Sequence, residues 1–252
     1  MLTADQISQY HRDGYVVPDF RMPNATLDAI RMRHAALIER EPRFRDYCPT
    51  LLDYDPAFMD YCDNADILDM VSQLIGPDIA LWNTSLFAKP AGNGKRTPWH
   101  QDGEYWPIRP LATCTAWLAL DDSTRENGCL RVIKGSHTSR ALRAHNTVQQ
   151  DDVTLNQELD SAEYDEADAV DVVLKAGQIS LHDVYLLHGS EPNVSPHPRR
   201  GMTMRYMPTT SVFDRDLARE KALRLGILDH SARRVVLLRG VDRSGSNVFS
   251  TR

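Results

Sequence analysis

The chain changes texture at about residue 78, and that change limits the folds open to it. Upstream, apolar residues recur at helical intervals. Downstream come short runs rich in β-branched and aromatic residues: "ALWNTSLFAKP", "TCTAWLALDD", "GCLRVIKGSH", "DVVLKAGQISLHDVYLLHGS" and "GMTMRYMPTT". Gly, Pro, Asn and Asp separate them. Several such strands with turn signals predict a sandwich or barrel. With 252 residues, no repeat and no low-complexity linker, one domain spanning 1–252 is expected. Its helical part is 1–78, its β core 79–210, and its C-terminal helix and tail 211–252. A chain of this length buries about three quarters of its unfolded surface and needs no staples.

Thr3 and Gln6 form a capping-box pattern, which predicts a helix over about 4–12, ended by Gly14 and followed by a strand over 15–17. "ATLDAIRMRHAALIER" has helical spacing at Leu27, Ile30, Ala35, Leu37 and Ile38, with Asn24 as its expected cap. "NADILDMVSQLIGPDI" predicts a third helix, capped by Asn64 or Asp66 and stopped at Gly76-Pro77. "DRDLAREKALRLG" predicts a C-terminal helix closed by Gly226, and "RRVVLLRG" is a strand or a terminal segment. The polar stretch 137–171 is expected to be a long loop, a length usually reserved for function or motion.

Several classes lose support. There is no 18-residue apolar run to span a membrane. The N-terminus has no basic region followed by an apolar stretch, so no secretory signal is expected. Cys48, Cys62, Cys114 and Cys129 show no C-x-x-C spacing and are expected to be reduced core residues of a cytoplasmic protein. A net charge of −6 argues against nucleic acid. No phosphate-binding G-x-x-x-x-G-K, no G-x-G-x-x-G and no G-x-S-x-G occurs, which removes the main sequence support for nucleotide-binding and α/β-hydrolase readings.

"TPWHQDGEYWPIRP" (97–110) carries the chemistry. Residues i and i+2 of a strand share a face, so His100 and Asp102 converge if 99–102 is extended. Trp99, Tyr105 and Trp106 frame them. His188, at the end of an apolar strand in "VYLLHGSEPN", would complete a two-His-one-carboxylate facial triad, the ligand set of non-haem Fe(II) oxygenases. His182, paired with Asp183, competes: it lies six residues from His188, and periodicity does not choose between them. His137, after a Gly-Ser turn, is read as a turn or supporting residue. A dicarboxylate co-substrate would need a planar fork for its far end, and Arg199, in "SPHPRRGMTMRY", supplies one. Arg200 points to the opposite face.

These residues resemble a known family. "HQDGEYWPIRP", "TAWLALDD", "ENGCLRVIKGSH" and "LLHGSEPNVSPHPRR" are similar, in order and spacing, to the phytanoyl-CoA dioxygenase family of Fe(II)/2-oxoglutarate oxygenases. The likeness runs from Asn83 to Tyr206, and "LTADQISQYHRDGYVV" fits the family's N-terminus. It implies a mainly β fold, a double-stranded β-helix (jelly roll) with flanking N-terminal and C-terminal helices. It implies His100, Asp102 and His188 as iron ligands, which decides for His188 over His182. It places Arg199 on the C5 carboxylate of 2-oxoglutarate, assisted by Ser190, with Trp117 and Ser85 also at the cofactor pocket. Because Asp102 is present, it implies oxygenation rather than halogenation.

The expected partners are dioxygen and a small molecule, with Fe(II) and 2-oxoglutarate as cofactors and ascorbate as the reductant in vitro. The reaction is hydroxylation or oxidative cyclisation. Fold alone does not name the substrate. Nine carboxylates between Asp151 and Asp171 suggest a lid favouring a cationic natural product of amine or sugar character. An acyl-CoA hydroxylase is the alternative, although Lys95, Arg96, Arg109 and Lys134 are too scattered to form a phosphate patch. A jelly-roll isomerase or hydrolase would use the same ligands without needing Arg199, and a catalytically silent binder would tolerate loss of metal.

Overall fold

The computed structural model of the chain describes residues 1–251. Helix α1 (Ala4–Asp13) starts with the expected capping box, Thr3 and Gln6 exchanging hydrogen bonds, and ends on Gly14 at φ 85°. Strand β1 (Tyr15–Val16) follows. Helix α2 (Asn24–Arg40) begins at Asn24 itself, so Asn24 does not cap it. The preceding residue is Pro23, whose carbonyl accepts from Thr26 and Leu27. Helix α3 (Ala65–Ile75) is capped by Asn64, which accepts from the Ile67 amide, and Gly76 ends it.

The β core is built from β2 (Ile79–Lys89), β3 (Thr97–His100), β4 (Cys114–Ala119), β5 (Leu130–Ile133), β6 (Ala169–Val172), β7 (Ile179–Asp183), β8 (His188–Ser190) and β9 (Arg199–Pro208). Helix α4 (Arg215–Leu225) follows, capped by Asp214 and closed by left-handed Gly226, and β10 (Val236–Arg239) comes after it. The strands form two antiparallel sheets, ordered β1-β7-β4-β9-β2-β10 and β6-β5-β8-β3. Tyr47–Cys48 pairs with β2 as well. This is a jelly roll with helices outside it. The ambiguous "RRVVLLRG" resolves as an edge strand, β10 pairing with β2.

Alternation divides each strand of the larger sheet between two environments. Outward residues Ala116, Leu118, Leu181, Met202 and Met204 join Leu27, Ile30 and Leu37 of α2 and Ile67, Met70 and Val71 of α3 in one buried cluster. Each such Leu or Met contributes roughly 1.5–3 kcal/mol. The other phase of the same strands supplies Thr115, Trp117, His182, Arg199, Thr203 and Arg205 to a cavity between the sheets.

The four cysteines are free and buried, as expected. Burial pushes the Cys62 and Cys114 thiols up to about 12, which keeps them protonated at neutral pH. Among the described residues no helix is long and apolar enough to cross a membrane. The 137–171 stretch is not the uninterrupted loop expected from its polarity. His145–Thr147 pairs with Gln157–Leu159 as a hairpin, and β6 begins at Ala169. Gln157 and Leu159 are buried, and Tyr105 Oη both accepts from and donates to the Gln157 backbone. That anchoring was hidden in a sequence dominated by carboxylates.

Candidate active site

His100 ends β3, and Asp102 opens the short 3-10 turn Asp102–Glu104 that follows one extended residue, Gln101. His188 opens β8, in register with His100. Strand pairing therefore brings together side chains 88 positions apart in the chain. The two imidazole rings lie 4.1 Å apart, centroid to centroid. Their Nε2 atoms are 3.7 Å and 3.9 Å from Asp102 Oδ1. One ligand atom from each of the three residues falls within 4.8 Å of the others, and all three residues are buried.

The donor set fits a divalent iron-type ion. His100 Nδ1 lies 2.7 Å from the Pro98 carbonyl and His188 Nδ1 2.9 Å from the Leu186 carbonyl. A carbonyl can only accept, so each Nδ1 carries a proton and each Nε2, turned to Asp102, is the ring atom that would bind a metal. That orientation is how metal-binding histidines are usually held. Both histidine-to-carboxylate separations are shorter than two metal–ligand bonds of about 2.1 Å end to end. Burial, then the neighbouring His100, pushes the His188 imidazole well below its usual value, favouring the neutral ligand form. Burial alone would raise the Asp102 carboxyl, but proximity to His100 and His182 outweighs it and the group stays ionised.

His182, the competitor, reaches the same cavity from the larger sheet. Its Nε2 is 3.7 Å from Asp102 Oδ2, the oxygen that also accepts from Thr115 at 3.5 Å. It therefore sits behind the carboxylate, while His100 and His188 share the front oxygen. His137 lies elsewhere, with Nε2 on the His11 carbonyl.

The cavity, about 440 Å³, continues from the triad to Arg199, Ser190 and Trp117. Arg199 is 2% exposed. It donates through Nε and Nη2 to the Gly128 carbonyl and more weakly to Ser190 Oγ at 3.4 Å, and lies over the Trp117 ring at 5.4 Å. No carboxylate pairs with it among the described residues. Burial lowers it to about 10, so it remains a cation at neutral pH. Arg200, on the other face, forms a two-bond fork with Asp121. Ser85 does not line the cavity. It is fully buried one layer back, where it donates to the Pro49 carbonyl and accepts from Asn83 and Arg205.

A second cleft of about 840 Å³ adjoins the first and shares Phe87, Asp102 and Arg205 with it. Sequence reasoning missed its principal polar residues. Arg205 lies six residues beyond Arg199, an even spacing on the same strand face, so its inward direction was available from period alone. Arg233, His230 and Tyr47 come from segments with no comparable signal. The sequence also gave no sign that Lys221 on α4 would be buried and donate to the Gly103 carbonyl at 3.2 Å and to the Glu104 carbonyl, holding the turn that presents Asp102.

A jelly roll with two histidines, a carboxylate and an unpaired buried arginine in one cavity has the form of a non-haem iron, 2-oxoacid-dependent oxygenase. Residues 10–201 match the family model described as phytanoyl-CoA dioxygenase (PhyH), and the chain belongs to that family. It is 28% identical over 233 residues to the human peroxisomal phytanoyl-CoA dioxygenase, covering 82% of this chain and 68% of that protein. Among solved structures, the apo form of the non-heme monooxygenase ThoJ superposes with a TM-score of 0.76 at 26% identity, over 98% of this chain and 88% of that one. The fold is shared with SnoK, a non-heme alpha ketoglutarate dependent carbocyclase from nogalamycin biosynthesis, at TM-score 0.69 and 22% identity, over 84% of this chain and 87% of that one. The chain is an enzyme of the Fe/2-oxoglutarate-dependent dioxygenase class.

Proposed function

We propose that residues 1–252 form one oxygenase domain that hydroxylates or oxidatively cyclises a small natural-product-like molecule, with His100, Asp102 and His188 holding Fe(II). Arg199, with Ser190 beside it, receives the far carboxylate of 2-oxoglutarate, and Trp117 walls that end of the cavity. The supporting observation is the pairing of an ionised, two-histidine donor set with a buried arginine that has no counter-charge. An isomerase or hydrolase on these ligands would leave that arginine unexplained, since an unpaired buried cation costs several kcal/mol. When bound, Fe(II) with 2-oxoglutarate and dioxygen supplies the oxidising power for cleaving a substrate C–H bond, releasing succinate and carbon dioxide. The protein's own part is positional: Pro98 and Leu186 fix the two imidazoles, Thr115 and His182 steady Asp102 from behind, and Lys221 holds the turn in front. Ser85 acts at one remove, through Arg205.

The substrate meets the site through the adjoining cleft, whose aromatic walls suit a ring-bearing molecule better than an extended acyl-CoA. The test is succinate formation from 2-oxoglutarate with Fe(II) and ascorbate, measured with and without a library of cyclic natural-product scaffolds. Succinate whose yield rises with one scaffold supports the reading. Turnover of a substrate without 2-oxoglutarate consumption would replace it with a hydrolase or isomerase.

A further inference from the structure

The larger cleft has a charge balance that neither the iron site nor 2-oxoglutarate accounts for. Two arginines line it, Arg205 from β9 and Arg233 from the segment before β10, and they are 4% and 8% exposed. Neither forms an ion pair among the described residues. The one carboxylate lining the cleft is Asp102, which faces the two histidines. Asp102 acts on Arg205 and the exposed Asp53 on Arg233, but neither reaches ion-pair distance of an arginine.

The hydrogen bonding of Arg205 is incomplete as well. Of Arg205's five N–H donors, one is spent on Ser85, and Nε is buried with no partner. Arg233 donates from Nη2 to His230 Nδ1 at 2.8 Å. That imidazole is neutral, because burial and then the two arginines push it down to about 3. Aromatic rings stand around the pair. Trp82 and Trp106 meet edge to face at 4.7 Å, with Arg205 5.3 Å from the Trp106 ring and Arg233 5.3 Å from the Trp82 ring. Packing on rings offsets part of the desolvation of a guanidinium, but it leaves Arg205 Nε without a partner.

Building on the oxygenase reading, we infer that Arg205 and Arg233 form a clamp for a carboxylate on the substrate, which selects a flat or cyclic molecule bearing an acid group that lies between Trp82, Trp106 and Tyr105. A carboxylate is the complement of paired guanidinium forks in a dry cleft. The co-substrate does not fill this role. Arg199 takes the one far carboxylate that 2-oxoglutarate has, and Arg233 lines the adjoining cleft without lining the cavity that holds Arg199.

The clamp favours an acid over the cationic substrate expected from the acidic stretch. The acidic stretch does border the cleft, but through Thr154, Leu155 and Asn156. Five of its nine carboxylates are engaged elsewhere. Glu158 binds Arg96, Asp160 and Asp165 cap turns, and Glu166 and Asp171 meet Arg131. An amine entering the cleft would face two guanidinium groups.

The experiment is calorimetric titration of the full-length, metal-free protein with 1-naphthoate, 1-naphthamide and 1-naphthylmethylamine, which share a ring and differ in charge. Naphthoate should bind about tenfold or more tightly than the amide, with the amine weakest. Arg233→Gln and Arg205→Gln should each erase most of that preference, and Arg199→Gln should keep it. If Arg205→Gln does not fold by circular dichroism, Arg233→Gln and Arg205→Lys carry the test, the lysine retaining charge but losing the fork and so part of the preference. The inference is overturned if the amide or amine binds as well as the acid, if no naphthoate binding occurs at millimolar concentration, if Arg233→Gln retains the full preference, or if 2-oxoglutarate displaces naphthoate. Because no metal is present, the clamp stands or falls independently of succinate formation.

Discussion

Arg199 and Arg200 are neighbours with opposite surroundings, one sealed against Gly128 and Trp117 and the other forked onto Asp121 at the outer face. Arg199→Ala should therefore weaken 2-oxoglutarate binding by roughly 3–5 kcal/mol, because the bound carboxylate would be left buried without its partner. Arg200→Ala should leave that affinity within a few-fold. Isothermal titration with 2-oxoglutarate in the presence of Fe(II) checks both, and equal losses would mean the strand faces are misread. The direction of these arginines was legible because a strand alternates strictly. The choice between His182 and His188 was not legible from period, and the structure explains why: both imidazoles do enter the cavity, their rings 5.1 Å apart. The chain crosses from one sheet to the other between them, and only pairing register sets His188 opposite His100. Arg205 had the right spacing, but nothing local in the sequence indicated what it would face.

At the scale of elements, neighbouring strands of the larger sheet are coupled through close packing on its inner face. A Cβ on Gly201 of β9 would lie 2.1 Å from Trp117 on β4. Gly201→Ala should cost about 1–3 kcal/mol through overpacking and push the Trp117 ring toward the co-substrate. Chemical denaturation together with 2-oxoglutarate titration should show both losses, and unchanged 2-oxoglutarate affinity would detach Trp117 from that pocket. Helix α2 carries a pH-sensitive contact. His34 is 3% exposed, its Nε2 has no partner, and burial lowers its pKa to about 4. A depressed imidazole contributes stability that is complete above its unfolded value near 6.5 and is lost as pH falls toward 4, because the unfolded chain then binds the extra proton. At pH 5 the loss is about 2 kcal/mol. Thermal melts from pH 7 to 5 should show a fall in Tm that is shallower in His34→Leu. The helices themselves were legible from their periodicity, Thr3–Gln6 and Asn64 marking two starts correctly. Asn24 misled because it stands one place inside its helix, after a proline that already sets the entry direction.

For the molecule as a whole, the cleft is an assembly of distant segments: β2 and β9, residues 154–156, and the turn from Gly226 to Arg233 that leads α4 back to the sheet edge. No window of sequence shows such a surface, so the proposed metal-binding triad was legible where the substrate wall was not. The same distance explains the acidic run. Its composition was plain, but Arg96 and Arg131, which pair with Glu158, Glu166 and Asp171, lie on other elements. Arg96 holds this wall twice, through its side chain on Glu158 and through backbone hydrogen bonds with Asp152 and Thr154. Arg96→Ala should loosen residues 154–156 and weaken 1-naphthoate binding about three- to tenfold, in keeping with a partly buried ion pair worth up to about 1 kcal/mol plus lost ordering. Fe(II) affinity should not change, and a parallel loss of both would place Arg96 in support of the metal site instead.

The central claim, that His100, Asp102 and His188 bind iron in a cavity where Arg199 orients 2-oxoglutarate, is tested most directly by anaerobic titration. Fe(II) is added to the metal-free protein, followed by 2-oxoglutarate, and the visible charge-transfer absorption of an iron-chelated 2-oxoacid is followed. Wild type should develop the band only when both are present, and succinate should not replace 2-oxoglutarate. His100→Ala, Asp102→Ala and His188→Ala should each lose it at matched concentrations, while His182→Ala should keep it. No band in the wild type, or a full band in His188→Ala with loss in His182→Ala, would contradict the account.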